Sequence, residues 1–184
     1  MRLCVMAGAI LLPLWASAES APPMLDEARI QTTAMAESLK LTLMAGMKAD
    51  GPVAAISLCH TEAPAIAARF SEGGWTVGRT SEKLRNPANA PDEWEREVLK
   101  DFARQARQGI DISTLEASSE SDDGEFRYMK AIAVGGPCVI CHGQSLSPEV
   151  SSALGSLYPE DQARGYLPGQ LRGAFTLIYR PQEH

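Results

Sequence analysis

The stretch that decides the fold is FRYMKAIAVGGPCVICH, residues 126–142. Its first part, Phe126 to Val134, is rich in apolar and β-prone residues and predicts a strand. Gly135-Gly136-Pro137 then ends that strand, because glycine and proline interrupt regular structure. The predicted strand therefore leads directly into a short segment that holds two cysteines and a histidine.

Around this stretch, the sequence predicts a long N-terminal helix and then a mixture of helices and strands. Methionine and leucine recur every four residues over 35–47, which indicates a helix with one apolar face that ends at Asp50-Gly51-Pro52. Further patterns predict, in chain order, a helix over 53–70 interrupted at Pro64, a strand over 75–80, a helix over 91–108, a strand over 112–115, a polar loop over 118–124, a short helix between Pro148 and Pro159 and a strand over 171–179. This order favours an α+β fold with an antiparallel sheet over alternating βαβ units.

The first residues resemble a targeting segment. Met1-Arg2 is basic, Leu3 to Trp15 is apolar, and Ala16-Ser17-Ala18 fits a cleavage site. This pattern predicts a secretory signal peptide over 1–18, which leaves 19–184 as a single domain. An uncleaved N-terminal anchor is the alternative, although the apolar run is shorter than the about 20 residues that a membrane helix needs. We therefore expect an exported, periplasmic protein with no stable membrane span after cleavage.

Composition narrows the class of partner. The 184 residues are 45% hydrophobic and 22% charged, which is typical of a globular domain. The formal net charge of −6 gives no attraction to a phosphate backbone, so nucleic acid is not an expected partner.

The four cysteines carry most of the chemical information. Cys4 lies in the predicted signal peptide, which leaves Cys59, Cys138 and Cys141, an odd number that cannot all pair within one chain. Cys138-Val139-Ile140-Cys141-His142 is C-x-x-C-H, the attachment motif of c-type haem. Two thiols three residues apart can each bond one vinyl group of the porphyrin, and the adjacent histidine can bind the iron. One such motif predicts one covalent haem c.

Two other interpretations of the motif stay open. The cysteine pair could be a thioredoxin-like redox dithiol, although no βαβ pattern precedes it. It could also hold zinc, which would need two further ligands from Cys59, His60 or His184.

The second axial position of the iron has several candidates. Cys59 and His60 are adjacent and diverge by about 100° on a helix, so only one of them can face a given iron. Cys59 is either an inert buried thiol or a ligand, and His60 is the more conventional ligand. The remaining candidates are His184, Met24, Met35, Met44, Met47 and Met129.

Five segments give the chain a family resemblance. They are the Cys59 segment ending in Ala63-Pro64, Gly74 to Ser81, Leu84 to Pro91, Cys138 to Gly143 and Leu171 to Phe175. On these residues the chain, from Leu25 to Tyr179, resembles the single-haem c-type domains with a PAS-like fold, which occur as standalone periplasmic proteins and as sensor parts of membrane kinases and cyclases.

The resemblance implies both a fold and a ligand set. It implies a PAS-like antiparallel sheet flanked by helices, haem thioethers at Cys138 and Cys141, and His142 and Cys59 as the axial ligands. His60 remains a rival to Cys59, and an exchange between the two on reduction stays open. We also expect Arg79, Arg85 or Arg172 to pair with haem propionates, because arginine forms a fork with carboxylates.

Such ligation predicts a redox role more than a catalytic one. A thiolate stabilises ferric iron and predicts a low reduction potential, and two protein ligands leave no open position for peroxidase chemistry. The first hypothesis is a haem-based redox or small-gas sensor that acts through a separate signalling partner. The alternatives are a periplasmic monohaem electron carrier with a redox partner, and an enzyme, either a thiol oxidoreductase that uses the C-x-x-C pair or a weak peroxidase.

Overall fold

A computed structural model describes residues 23–181 of the chain. The predicted signal peptide, Cys4 and His184 lie outside the described residues. Helix α1 spans Pro23–Phe70 and is followed by strand β1 (Trp75–Thr80), helix α2 (Glu93–Arg107), strands β2 (Glu116–Glu120) and β3 (Phe126–Ala133), helices α3 (Val139–His142) and α4 (Pro148–Leu157), and strand β4 (Leu171–Tyr179). Single 3₁₀ turns lie at Pro87–Asn89, Ile112–Thr114 and Gly136–Cys138.

Helix α1 folds back on itself at the predicted stop. Asp50 and Gly51 leave the helical region, and Gly51 has φ +72°, a value that glycine adopts without strain. A Cβ atom added at Gly46 would lie 2.5 Å from the Cα of Ala55, whereas nine residues of straight helix would span about 13.5 Å. The 23–49 and 52–70 segments therefore lie side by side, and the second segment carries Cys59.

The strands form one antiparallel sheet in the order β1-β4-β3-β2. Helix α1 covers one face, where Met35 and Ile66 pack against Val77, Tyr128 and Leu177. Helix α2 covers the other face, where Leu99, Phe102, Met129, Ala131 and Ala174 form a second core. The predicted α+β class, with an antiparallel sheet flanked by helices and a long N-terminal helix, is confirmed.

Helix α4 builds a third, smaller cluster against α1. Val150 and Leu154 are fully buried on α4 and pack against Ile56 in the second segment of α1. Cys141 and Tyr158 lie at the edge of this cluster. The cluster thus joins the cysteine-containing turn to the part of α1 that holds Cys59.

Two details of the predicted elements are wrong. The helix continues through Pro64, because burial of a side chain such as Ile66, which contributes about 1.5–3 kcal/mol, compensates the about 3 kcal/mol cost of an interior proline. The predicted strand over 112–115 is mainly a 3₁₀ turn, and the strand follows as β2 (Glu116–Glu120), so residues 118–120 belong to a strand and not to the predicted loop over 118–124. Polar serines in β2 hid this strand, which pairs with β3 at the edge of the sheet.

No helix within residues 23–181 is both long enough and apolar enough to cross a membrane.

Candidate functional site

The C-x-x-C-H motif forms one compact turn. The 3₁₀ turn Gly136–Cys138 runs directly into α3, so both thiols and His142 lie on consecutive turns of a single short helical segment. Gly143 ends α3, and a Cβ at this position would lie 2.4 Å from the Val139 carbonyl oxygen. Only glycine fits there, which fixes the direction in which the chain leaves His142.

The ring of His142 is held by a backbone carbonyl. Its Nδ1 lies 2.7 Å from the Ala163 oxygen, and since a carbonyl only accepts, Nδ1 carries the proton and donates it. The Tyr166 amide donates to the His142 oxygen at 2.9 Å and holds the backbone of the same residue. Nε2 is therefore the ring nitrogen whose lone pair is free for a metal.

Burial keeps this imidazole neutral. Burial, followed by the charges of the Arg85 and Arg172 guanidinium groups, lowers the pKa of His142 to about 3, although the Ala163 hydrogen bond opposes the shift. A neutral imidazole with one nitrogen fixed and the other free is the form that binds iron.

Cys59 lies close to this turn from the second segment of α1. Burial raises the pKa of the Cys59 thiol, and the charges of Arg79 and Arg85 oppose that rise. Burial also raises the pKa of Cys141. The charge of Arg85 opposes this rise, and the charge of Cys59 adds to it. The structure thus brings Cys59 and Cys141, 82 positions apart in sequence, into one electrostatic environment.

His60 lies at the exposed, Tyr158 side of the same site. Its side chain is exposed and contacts the Tyr158 ring edge-to-face, with 4.9 Å between the ring centroids. It lines a cleft of about 280 Å³ together with Pro64, Arg85, Pro87 and Tyr158. This volume is just under the about 300–1,000 Å³ of typical small-molecule sites, so the cleft fits an edge of a cofactor and not a whole porphyrin.

The three arginines expected at propionates differ in their contacts. Arg172 donates to Ser81 Oγ at 2.9 Å and to the Lys83 carbonyl at 3.2 Å, and it lies over the Tyr166 ring. Arg85 is held by Asp161 and by backbone carbonyls beside His142. Within residues 23–181, the Arg79 guanidinium has no hydrogen-bond or ion-pair partner, although burial lowers its pKa.

A comparison with known proteins assigns the chain to a family. The family model described as Tll0287-like matches residues 17–180, most of the chain. The chain belongs to the Tll0287-like family. Its fold is similar to the crystal structure of the cyanobacterial heme-protein Tll0287, with a TM-score of 0.68 and 19% sequence identity over 90% of this chain and 99% of that chain. No curated protein sequence matches the chain significantly.

In this Tll0287-like chain, the geometry gives little support to the two other interpretations of the cysteine pair, a zinc site and a redox dithiol. Over residues 23–181, no three His, Cys, Asp or Glu side chains lie close enough to one another to hold a bare metal ion, which zinc would require. Redox dithiols have a lowered thiol pKa, whereas burial raises the pKa of Cys141.

Sequence analysis missed the residues between α4 and β4 that complete the site. Tyr158, Asp161, Ala163 and Tyr166 surround His142 and Arg85 through hydrogen bonds and ring contacts. Ala163 acts through its backbone oxygen, so its residue type carries no signal. Asp161 stands among other polar residues, and only its almost complete burial, with 1% of the side chain exposed, marks it as special.

Proposed function

We propose that this chain is an exported c-type haem protein with a single haem that functions as a redox sensor module. Cys138 and Cys141 would hold the haem by thioether bonds, and His142 and Cys59 would bind the iron. The observation that carries this proposal is the hydrogen bond from His142 Nδ1 to Ala163, which leaves Nε2 free on the same turn as the two thiols.

The residues present fit a haem by their chemistry. Two thiols at positions i and i+3 of a helical turn lie on one face, as two thioethers to one porphyrin edge require. Haem also brings two carboxylates, and the half-buried Arg79 is a cation that lacks a partner among the described residues. Membership in the Tll0287-like family, together with the likeness to a protein described as a heme-protein, supports the same cofactor.

The surroundings of the two residues favour Cys59 over His60 as the second iron ligand. The Cys59 thiol is half-buried beside Cys141 and Arg85, whereas the His60 side chain is exposed and meets the Tyr158 ring edge-to-face. When bound, the haem would supply one-electron exchange. The protein residues would bury it, orient it and occupy both axial positions, which supports a redox role over catalysis.

The predicted export signal supports the covalent type of attachment. The basic, apolar and small-residue pattern of residues 1–18 is typical of a secretory signal peptide, and c-type haem is attached after export. The periplasm is therefore the compartment that we propose.

A monohaem electron carrier is the second candidate, and surface exposure around the motif favours it. Ile140, between the two cysteines, is 39% exposed, and Gly135, Gly136 and Pro137 are exposed as well. A cofactor attached to this turn would therefore have one edge near solvent, where a redox partner could receive an electron.

The first experiment tests covalent attachment. The full-length gene is expressed with a c-type haem maturation system, and the exported protein is analysed by pyridine haemochrome spectroscopy and intact mass. We expect one haem c per chain in the wild type and none after replacement of both Cys138 and Cys141 by alanine. A wild-type protein without covalent haem under these conditions would contradict the proposal.

The second experiment tests the ligand pair with a matched control. Cys59→Ala is expected to change the ferric absorption and EPR spectra from those of a thiolate-ligated low-spin haem, whereas the adjacent His60→Ala is expected to leave them unchanged. The opposite pattern would assign the ligand to His60, and identical spectra in both variants would exclude either residue.

The third experiment separates the sensor from the carrier. A sensor is expected to bind carbon monoxide or nitric oxide in the reduced form, or to change conformation between the two oxidation states, as measured by hydrogen exchange of α1. A carrier is expected to accept electrons rapidly from a small periplasmic donor without either response.

A further inference from the structure

Arg85 is built into the backbone that surrounds His142. Its Nη2 donates to the Cys141 carbonyl at 2.5 Å and to the Ala163 carbonyl at 3.3 Å, and its Nε donates to Asp161 at 3.2 Å. Only 15% of the side chain is exposed. The same guanidinium therefore connects the residue before His142 to the residue that accepts the hydrogen bond of the His142 ring.

Asp161 holds the other side of this arrangement. Its Oδ1 accepts the Ala163 amide at 3.0 Å and its Oδ2 accepts Arg164 Nε at 2.7 Å, with 1% of its side chain exposed. Because Asp161 binds both Arg85 and the Ala163 amide, it fixes the Ala163 carbonyl relative to the guanidinium. A carboxylate in this position compensates the buried charge of Arg85, which would otherwise be costly.

The contact between Arg85 and the ring has an electronic consequence. Nη2 lies 3.2 Å from His142 Nδ1, and because Nδ1 already donates to Ala163, this contact places a positive charge beside an N–H group. A carboxylate partner makes a ligating histidine a stronger electron donor. The neutral Ala163 carbonyl does so less strongly, and the Arg85 cation beside the same N–H group acts in the opposite direction.

We propose that Arg85, held by Asp161, is a positioning residue for His142 that fixes the orientation of the ring and weakens it as an electron donor, so that the reduction potential is raised. This inference rests on the proposed function, because it requires His142 to bind the haem iron. The positive charge of Arg85 would partly offset the low reduction potential that a Cys59 thiolate produces.

The role differs from the propionate pairing expected of Arg85 from the sequence. Nε and Nη2 are already used by protein acceptors next to His142. Loss of the Arg85 side chain is therefore expected to change the orientation and the donor strength of His142, and not only the pairing of a propionate.

The test compares Arg85→Gln and Arg85→Lys with Arg164→Gln in the haem-loaded, full-length protein. Arg164 is the matched control, because it also pairs with Asp161, and its other side-chain hydrogen bond within residues 23–181 goes to Ser151. Haemochrome yield, midpoint potential and, in the reduced protein, the exchange rate of the His142 Nδ1 proton by NMR are measured for each.

In Arg85→Gln we expect full haem attachment, faster Nδ1 proton exchange and a lower potential, because a cation that destabilises ferric iron is gone. The expected change is about tenfold in the ferric-to-ferrous ratio at a fixed poise, or about 59 mV for a one-electron couple. Arg85→Lys keeps the charge but not the fork, so it is expected to retain most of the potential and to show faster exchange. Arg164→Gln is expected to match the wild type in all three measurements.

An Arg85→Gln protein with wild-type potential and wild-type exchange would overturn the inference. The inference would also be overturned if the potential of Arg85→Gln changed only through the ionisation of a propionate, while the exchange rate of the His142 Nδ1 proton stayed at the wild-type value. If Arg85→Gln does not fold, Asp161→Asn provides the second variant, and unchanged Nδ1 exchange there would also overturn it. Failure of the proposed function is distinguishable, because it appears as missing haem c in the wild type.

Discussion

Replacement of Gly46 by alanine tests how closely the two segments of α1 pack. The added Cβ would lie 2.5 Å from the Cα of Ala55 and 3.0 Å from its backbone nitrogen, and neither backbone atom can rotate away. The segments would have to separate by about 1 Å to restore ordinary contact at about 3.5–4.0 Å. Overpacking of this kind costs about 1–3 kcal/mol, while alanine gains about 1 kcal/mol of helix propensity over glycine. The net expectation is a loss of up to about 2 kcal/mol.

Gly155→Ala is the matched control for this prediction. Gly155 lies in α4 with no atom within 4 Å of its added Cβ, so the propensity gain of up to about 1 kcal/mol remains uncompensated. The two variants should therefore differ by about 1–3 kcal/mol in unfolding free energy, or by about 2–12 °C in Tm. Thermal and urea unfolding, followed by circular dichroism, measure the difference.

The reasoning would be refuted if Gly46→Ala raised the Tm as much as Gly155→Ala does. That result would mean that the 23–49 and 52–70 segments do not approach as closely as the structure shows. Ala55 precedes Cys59 by one helical turn, so if Cys59 binds the iron as proposed, a real displacement should also broaden the spectroscopic signature of that ligand.

Three further predictions concern the attachment turn, the sheet and acid stability. Gly143→Ala is expected to lower the haemochrome yield several-fold, because its Cβ would lie 2.4 Å from a backbone oxygen of the same turn, whereas Gly136→Ala, with open space around it, should keep the wild-type yield. Tyr128→Phe removes a 2.7 Å hydrogen bond to Glu116 and should cost about 0.5–1.5 kcal/mol in urea unfolding with an unchanged m-value; no loss would show that water replaces the hydroxyl at no cost. Burial raises the pKa of Asp161, but hydrogen bonds from Arg164 and Ala163 and the charge of Arg85 together bring that pKa below its ordinary value. The stabilisation is therefore complete above about pH 4 and is lost as the pH falls through the folded pKa, so the difference in stability from Asp161→Asn should vanish in acid; a difference that is constant with pH would contradict this.

The architecture was predictable because its elements carry local signals. The bounds of β1 and β4 agree with the predicted strands, and the break at Asp50-Gly51 follows from residues that leave the helical region. Local sequence patterns did not predict the direction that the chain takes after that break. The reversal depends on the small size of Gly46 and Ala55, which lets the two segments approach, and such a contact has no periodicity to detect.

The site was predictable only where chemistry fixes residue type and spacing. C-x-x-C-H identified the turn, and the odd cysteine count selected Cys59 for attention. The hydrogen bond that sets the tautomer of His142 comes from a backbone oxygen, and residue types do not encode it. The contacts of Arg85 were similarly hidden, because its partners Asp161 and Ala163 lie 76 and 78 positions away in the sequence.

Cationic side chains cluster at the site although the chain as a whole is acidic. Arg85 and Arg172 lie beside His142, Lys83 lies over the Tyr166 ring, and Arg79 lies near Cys59. Asp161 is a buried carboxylate paired with Arg85, and the chain as a whole carries a net charge of −6. A half-buried Arg79 without a partner among the described residues costs free energy, since desolvation disfavours the charged form. Two propionates and a thiolate would add three negative charges and compensate this excess. The arrangement is therefore better explained as a site prepared for an anionic cofactor than as a network that stabilises the fold by itself.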